Sequence, residues 1–222
     1  MMNFVIEPLI KAPCPDVQIG VVMATVHNSP TGDALWGELE TEAARIKSTY
    51  ELLEINHRPA IAATRRLYRA LGKDPGRYRV ASEQLCRRVI RGLGLYRLTT
   101  LIDLVNLVSM ASGYPISGLD ADKVAGDTLR MGVGREGEIY NGIGRGALNI
   151  AGLPVWRDAL GPIATPTSDD ERTCFSPDTN RVLICINAFG TEMPLPEAIN
   201  LTVRLLTDYA AATNLFTTII KP

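Results

Sequence analysis

The apolar positions of this chain change spacing along its length. From Val17 to Val26 nearly every residue is apolar, as in a strand buried on both faces, and Asn3–Glu7 is a shorter strand candidate ahead of it. Helical signals follow. Asp33–Ser48 comes after a Ser-Pro-Thr-Gly turn. Pro59 suits the start of a helix that Gly72 can end, and Pro75-Gly76 is a turn. Ser82 can cap a helix reaching Arg91, with Leu85, Val89 and Ile90 facing inward and Gly92 stopping it. Leu98–Ser112 is a further helix, closed by Gly113.

After Tyr114 the pattern breaks up. Eight glycines lie between Gly126 and Gly152, with short apolar pairs among them, which suits hairpins and twisted strands; Asn141-Gly142 reads as a hairpin turn. Val182–Ala188 is a strand candidate, and Pro194 and Pro196 introduce a last helix to about Ala212. Helices, then strands, then a closing helix predict an α+β layered domain rather than a repeating βαβ sheet. No repeat or long linker divides the chain, so residues 1–222 read as one domain.

The composition agrees. A chain of 222 residues with 46% hydrophobic residues can bury a large core. The most apolar stretch, Leu101–Met110, contains Asp103 and Asn106, so no membrane span is expected. Met1–Glu7 lacks the features of a secretory signal. Cys14, Cys86, Cys174 and Cys185 show no CxxC spacing, which points to free thiols and a cytoplasmic location.

The formal net charge of -1 hides a segregation. Arg58–Arg97 holds eleven Lys/Arg and two acids, 11 − 2 = +9; the rest of the chain carries 12 − 22 = −10. Such a segment can steer toward a polyanion, or it can be the solvated faces of helices. Its candidates for RNA contact are Arg65, Arg66, Arg69, Arg87, Arg88 and Arg91. Aromatic interleaving is sparse, limited to Tyr68, Tyr78 and Tyr96.

Several chemistries lack their residues. Gly132–Gly137 matches GxGxxG, but a hairpin signal follows it where a dinucleotide fold needs a helix. His27 and His57 are the only histidines, so neither a zinc site nor a Ser-His or Cys-His pair is expected. There is no GxSxG elbow. No metal or cofactor is expected, and any hydrolysis would work by positioning water and substrate.

The most informative feature is the polar pair on the apolar helix: Asp103 and Asn106 lie three apart and share one face. A buried acid and amide need partners. Asp103 can satisfy nearby backbone, whereas the Asn106 amide can donate to and accept from a ligand.

Ile102-Asp103-Leu104-Val105-Asn106, followed by Gly113-Tyr114-Pro115-Ile116-Ser117-Gly118-Leu119-Asp120-Ala121-Asp122-Lys123-Val124, resembles the VDxTN…GqPlHaFDldKi run of phenylalanyl-tRNA synthetase beta chains, in their editing, or B3/B4, domain. Arg135-Glu136-Gly137-Glu138 is similar to that family's short GE turn, and Thr179–Ile184 to its TxxI strand. Asp170-Glu171-Arg172-Thr173 is similar to the DxERT stretch of free-standing versions. The resemblance covers roughly residues 55 to 190, and the synthetase's other parts have no counterpart in this sequence.

The resemblance implies an editing-type fold, a strand sandwich with helices packed outside. It also implies tRNA as a partner, an amino-acid-like molecule in the pocket, and hydrolysis of the ester of a wrongly charged tRNA. On this pattern the pocket candidates are Asn106, Ser117, Gly161, Arg172, Thr173, Cys185 and Asn187. Ser117 can instead cap a turn, and Arg172 can instead pair with Asp169 or Asp170.

The chain departs from the family at polar positions. Val105 replaces a Thr and Ser117 a His; Leu160–Thr165 stands for AGVMGG with Gly161 kept; Cys185, or Asn187 in a shifted register, stands where an acid reads the tyrosine hydroxyl. Three functions therefore compete: a trans-acting aminoacyl-tRNA deacylase, a non-catalytic module binding an amino acid or small metabolite in the same pocket, and a basic face that meets an acidic protein.

Overall fold

The computed structural model describes residues 2–222; Met1, the first residue of the segment read for a secretory signal, lies outside the described residues. The chain starts with β1 (Asn3–Ile6), the one-turn helix α1 (Pro8–Lys11) and β2 (Gln18–Thr25). Four helices follow: α2 (Asp33–Thr49), α3 (Pro59–Ala70), α4 (Ala81–Ile90) and α5 (Thr100–Ser112). The second half holds β3 (Ile116–Asp120), β4 (Thr128–Val133), the short pair β5 (Asn141–Gly142) and β6 (Gly146–Ala147), β7 (Pro154–Arg157), β8 (Pro162–Ala164) and β9 (Arg181–Ala188). It closes with α6 (Leu195–Ala210) and β10 (Thr213–Ile220).

Two four-stranded sheets form, in the orders β10-β2-β9-β3 and β1-β4-β7-β8. β9 is the spine of the first, antiparallel to β2 with Val22 opposite Ile184, and to β3 with Ser117 opposite Cys185. Its alternation explains the layers. Val182, Ile184 and Ile186 face a core shared with α2, α4, α5 and α6, while Leu183 and Cys185 face a second core with Leu129, Met131, Trp156 and Ile163 of the other sheet. Both faces of β2 and β9 are thus covered, which is why their sequences run apolar almost without interruption. The architecture is α+β, with α2, α4, α5 and α6 on one face of a two-sheet sandwich. Each fully buried Val, Leu or Ile contributes about 1.5–3 kcal/mol, so these two cores dominate the folding energy.

Local signals set most boundaries. Pro59 occupies the first turn of α3, and Gly113, at φ 74°, closes α5 in the left-handed region. Ser82 does not cap α4: it lies inside the helix, fully buried, and its hydroxyl has no hydrogen-bond partner. Val89 faces inward as expected, together with Glu83 and Cys86, while Leu85 and Ile90 are half-buried beside them. Asn141-Gly142 is itself β5; the turn is Ile143-Gly144-Arg145. Of the GxGxxG glycines, Gly132 and Gly134 serve close packing, since a Cβ on Gly134 would collide with the Ile150 carbonyl oxygen, whereas Gly137 takes a left-handed turn conformation at φ 78°, and no helix follows them. β10 carries no strong strand pattern because it is an edge strand whose first five residues are exposed. No helix among the described residues is long and apolar enough to cross a membrane.

Candidate functional site

Asp103 and Asn106 take different roles on α5. Asp103 is completely buried; its Oδ2 accepts the Thr31 hydroxyl at 2.5 Å and the Leu98 N–H at 2.9 Å. Burial raises its pKa against these two donors. It ties the strand-to-helix connection and the segment before α5 to the helix start. Asn106, one turn on, lines a cavity of about 250 Å³, and its amide has no hydrogen-bond partner among the described residues.

The cavity has three sides. α5 contributes Ile102, Val105 and Asn106; β3 contributes Ile116 and Gly118; the segment leading from β8 contributes Thr165, Ser168 and Asp169, with Cys174 and Phe175 beyond it. Leu98, Ala81 and Ile143 complete the rim. Gly118 is required here, because a Cβ would stand 2.7 Å from the Phe175 ring. The hairpin that presents Ile143 is fixed from below: the Ile143 N–H donates to the Asp169 carbonyl at 3.0 Å, and the Asn141 N–H donates to Asp170 Oδ2 at 2.8 Å. Arg145 at its tip reaches the Gln84 side chain on α4.

The walls are apolar except for Asn106, Asp169, the hydroxyls of Thr165 and Ser168 and the Cys174 thiol, and no lysine or arginine lines the cavity. Asp169 Oδ2 accepts the Gly118 N–H at 2.9 Å. Burial lifts this carboxyl to about 7, opposed by the Gly118 N–H and the Ser117 hydroxyl and reinforced by the charge of Asp170. Its neighbour Asp170 turns the other way and binds backbone, accepting the Asn141 and Arg172 N–H groups.

Of the residues singled out in the sequence, Asn106 lines this cavity. Ser117 lies behind the β3 wall, buried, with no well-formed hydrogen bond for its hydroxyl. Cys185, opposite it on β9, is fully buried between the sheets; burial and the nearby Asp169 push its thiol far up, so it stays neutral. Asn187 Oδ1 accepts the Trp156 indole N–H at 2.9 Å, and its Nδ2 donates to the Pro115 carbonyl at 3.1 Å, joining the two sheets. Arg172 pairs not with Asp169 or Asp170 but bidentately with Asp158, both bonds 2.9 Å. Although burial opposes its charge, Asp158 is held below the usual carboxylate range by Arg172 and by the Ala125 and Leu160 N–H groups. Gly161 sits in the same knot, donating its N–H to Asp158 at 3.1 Å. Thr173 is buried, its hydroxyl 3.4 Å from the Ile163 carbonyl.

Sequence reasoning missed Asp169, Gly118 and Phe175 as pocket residues. The Asp169-Asp170 doublet carried one signal: adjacent residues in extended backbone point to opposite sides, so at most one could cap the following 3-10 turn at Glu171–Thr173.

The basic segment is largely engaged in the fold. Arg58 is buried and donates to Glu192, the Met110 carbonyl and the Cys86 sulfur. Arg65 binds Glu83 at 2.8 Å, Arg87 donates to the Leu52 carbonyl at 3.0 Å, and Arg88 donates to the Gly94 carbonyl at 2.7 Å and lies over Tyr96. Arg66, Arg69 and Arg91 are exposed and make no ion pair among the described residues.

Residues 63–209, which include every wall of the cavity, match the B3/4 domain family. Over 106 residues the chain is 32% identical to the phenylalanine–tRNA ligase beta subunit of Bartonella henselae. That stretch is 47% of this chain and 13% of the beta subunit, so the chain covers only a small part of that relative's length.

Proposed function

The chain belongs to the B3/4 domain family, and from that premise we propose that it is a cytoplasmic, trans-acting aminoacyl-tRNA deacylase, the cavity beside Asn106 holding the aminoacyl group. The cavity carries the reading. It lies within the family-matched region, is walled mainly by Ile102, Val105, Ile116, Ile143 and Phe175, and offers an unpartnered amide. Those walls suit an apolar side chain, and the Asn106 NH₂ can donate to the acyl carbonyl. Hydrolysis then needs a positioned water rather than a side-chain nucleophile: the water oxygen bonds to the acyl carbon, the ester C–O bond breaks, and the ribose oxygen leaves with a proton. Cys185 is buried and neutral, so selection by an acid at that position has no counterpart in this chain.

Exposed Arg66, Arg69, Arg77 and Arg91 are the residues of the basic segment available to phosphates, which give salt-dependent, sequence-blind affinity. Incubation with a panel of mischarged tRNAs tests the proposal; ester loss no faster than in buffer, for every member, overturns it. The neutral residues at positions 105, 117 and 185 support a second reading, a module that binds the same amino-acid-like group without chemistry. It predicts ligand-induced thermal stabilisation with no ester loss.

A further inference from the structure

Asp169 is an acid placed in an apolar cavity with no counter-charge. Its Oδ2 takes the Gly118 N–H at 2.9 Å. The other ionisable groups facing it are Asp170 on its own segment, Tyr140 behind the hairpin, and the thiols of Cys174 and Cys185. None is a cation. Lys123 reaches the Cys174 carbonyl at 2.8 Å, but its charge is matched by Asp120 at 3.4 Å. Asp170 is tied to backbone and Arg172 to Asp158, so neither rearranges cheaply toward the cavity. A half-buried carboxylate in an apolar wall is stabilised by taking up a proton or by a cation brought by a ligand.

We propose that Asp169 is the receptor for a primary ammonium, and that the cavity's ligand is an α-aminoacyl ester or amide with an apolar side chain rather than a free amino acid. This rests on the reading of the cavity as an aminoacyl site and narrows it. The ammonium meets Asp169, the side chain lies against Ile102, Val105, Ile116 and Phe175, and the acyl carbonyl faces Asn106. A free amino acid brings a carboxylate as well. With no lysine or arginine in the wall to receive it, and Asp169 already anionic, that second charge is disfavoured. An ester or amide presents a neutral carbonyl at the same place.

Calorimetric titration of the full chain, slightly above neutral pH, tests this with phenylalaninamide, free phenylalanine and 3-phenylpropanamide, which lacks the amino group; leucinamide and 4-methylpentanamide form a second pair. An amino amide should bind about tenfold or more tighter than its des-amino partner and than the free amino acid, the scale of one charge-assisted hydrogen bond. Asp169→Asn keeps an oxygen for the Gly118 N–H and should erase the gap between amino and des-amino amides. The wild-type comparison stands without the variant. Equal affinity for amino and des-amino amides, a gap unchanged in Asp169→Asn, free phenylalanine binding as tightly as its amide, or no binding by either pair overturns the inference. Amine-dependent binding without deacylation of any mischarged tRNA sinks the deacylase reading alone; deacylation with indifference to the amine sinks this inference alone.

Discussion

Asp169 Oδ2 accepts the main-chain N–H of Gly118 at 2.9 Å, joining the β3 wall of the cavity to the segment that leads from β8. That single bond accounts for only one of the carboxyl's oxygens, and burial raises the group to about 7. Unfolded, an aspartate releases its proton near pH 4. Between that point and about 7 the native state holds the extra proton, so stability is greatest on the acid side and falls as pH rises through the window, by up to about 1.4 kcal/mol per pH unit. Asp169→Asn should flatten this slope. Urea midpoints measured on both sides of the window decide it; an identical slope in both proteins contradicts the assignment.

Gly118 holds the space beside Phe175. In Gly118→Ala the new Cβ stands 2.7 Å from the ring, which must swing toward the cavity or push β3 away. Overpacking of this kind costs about 1–3 kcal/mol. Affinity for amino amides should fall about tenfold or more while the protein stays folded. Denaturation paired with calorimetry separates the two effects, and unchanged affinity counts against Phe175 as a cavity wall.

Arg172 and Asn187 have their bonds elsewhere. Arg172→Ala strands the buried Asp158 carboxylate and should cost about 1–3 kcal/mol. Asn187→Ala removes the partner of the Trp156 indole N–H and of the Pro115 carbonyl, with a loss of similar size. In the folded fraction both variants should bind amino amides as the wild type does. A weakened affinity with normal stability places either residue on the ligand instead.

The spine of the fold was readable because burial leaves period signals: Val17–Val26 and Val182–Ala188 had to be covered on both faces, and both are central strands. Prolines and glycines marked the ends of α3, α5 and α6. β3 and β10 were not read, since β3 is five residues long and β10 lies exposed at an edge. The site was harder. Asn106 announced itself as an amide on an apolar helix, sharing a face with Asp103. Asp169 did not, because what sets it apart is the absence of a cation around it in space, which adjacency in sequence cannot convey. Arg172 stood beside two acids in the chain, yet its partner is fourteen residues away, delivered by the β7–β8 turn.

The exposed arginines offer a test of RNA contact. Arg66 and Arg69 lie one turn apart on α3 with no carboxylate partner among the described residues. Replacing both with Glu should weaken tRNA binding about tenfold at low salt and reduce the steepness of its salt dependence. Filter binding across a salt series measures both; a slope equal to that of the wild type removes this face from the interface.

The proposed occupant of the cavity is an aminoacyl group carried by tRNA. The most direct measurement of this is the rate at which tRNAs charged with different apolar amino acids lose their ester with the full chain present, set beside Asn106→Ala and Asp169→Asn. Accelerated loss is expected for at least one aminoacyl-tRNA, with a rate reduced about tenfold in Asn106→Ala, the scale of one hydrogen bond to the acyl carbonyl, and about tenfold or more in Asp169→Asn, the scale of one charge-assisted hydrogen bond to the ammonium. Spontaneous rates across the whole panel, or acceleration untouched by both substitutions, contradict it.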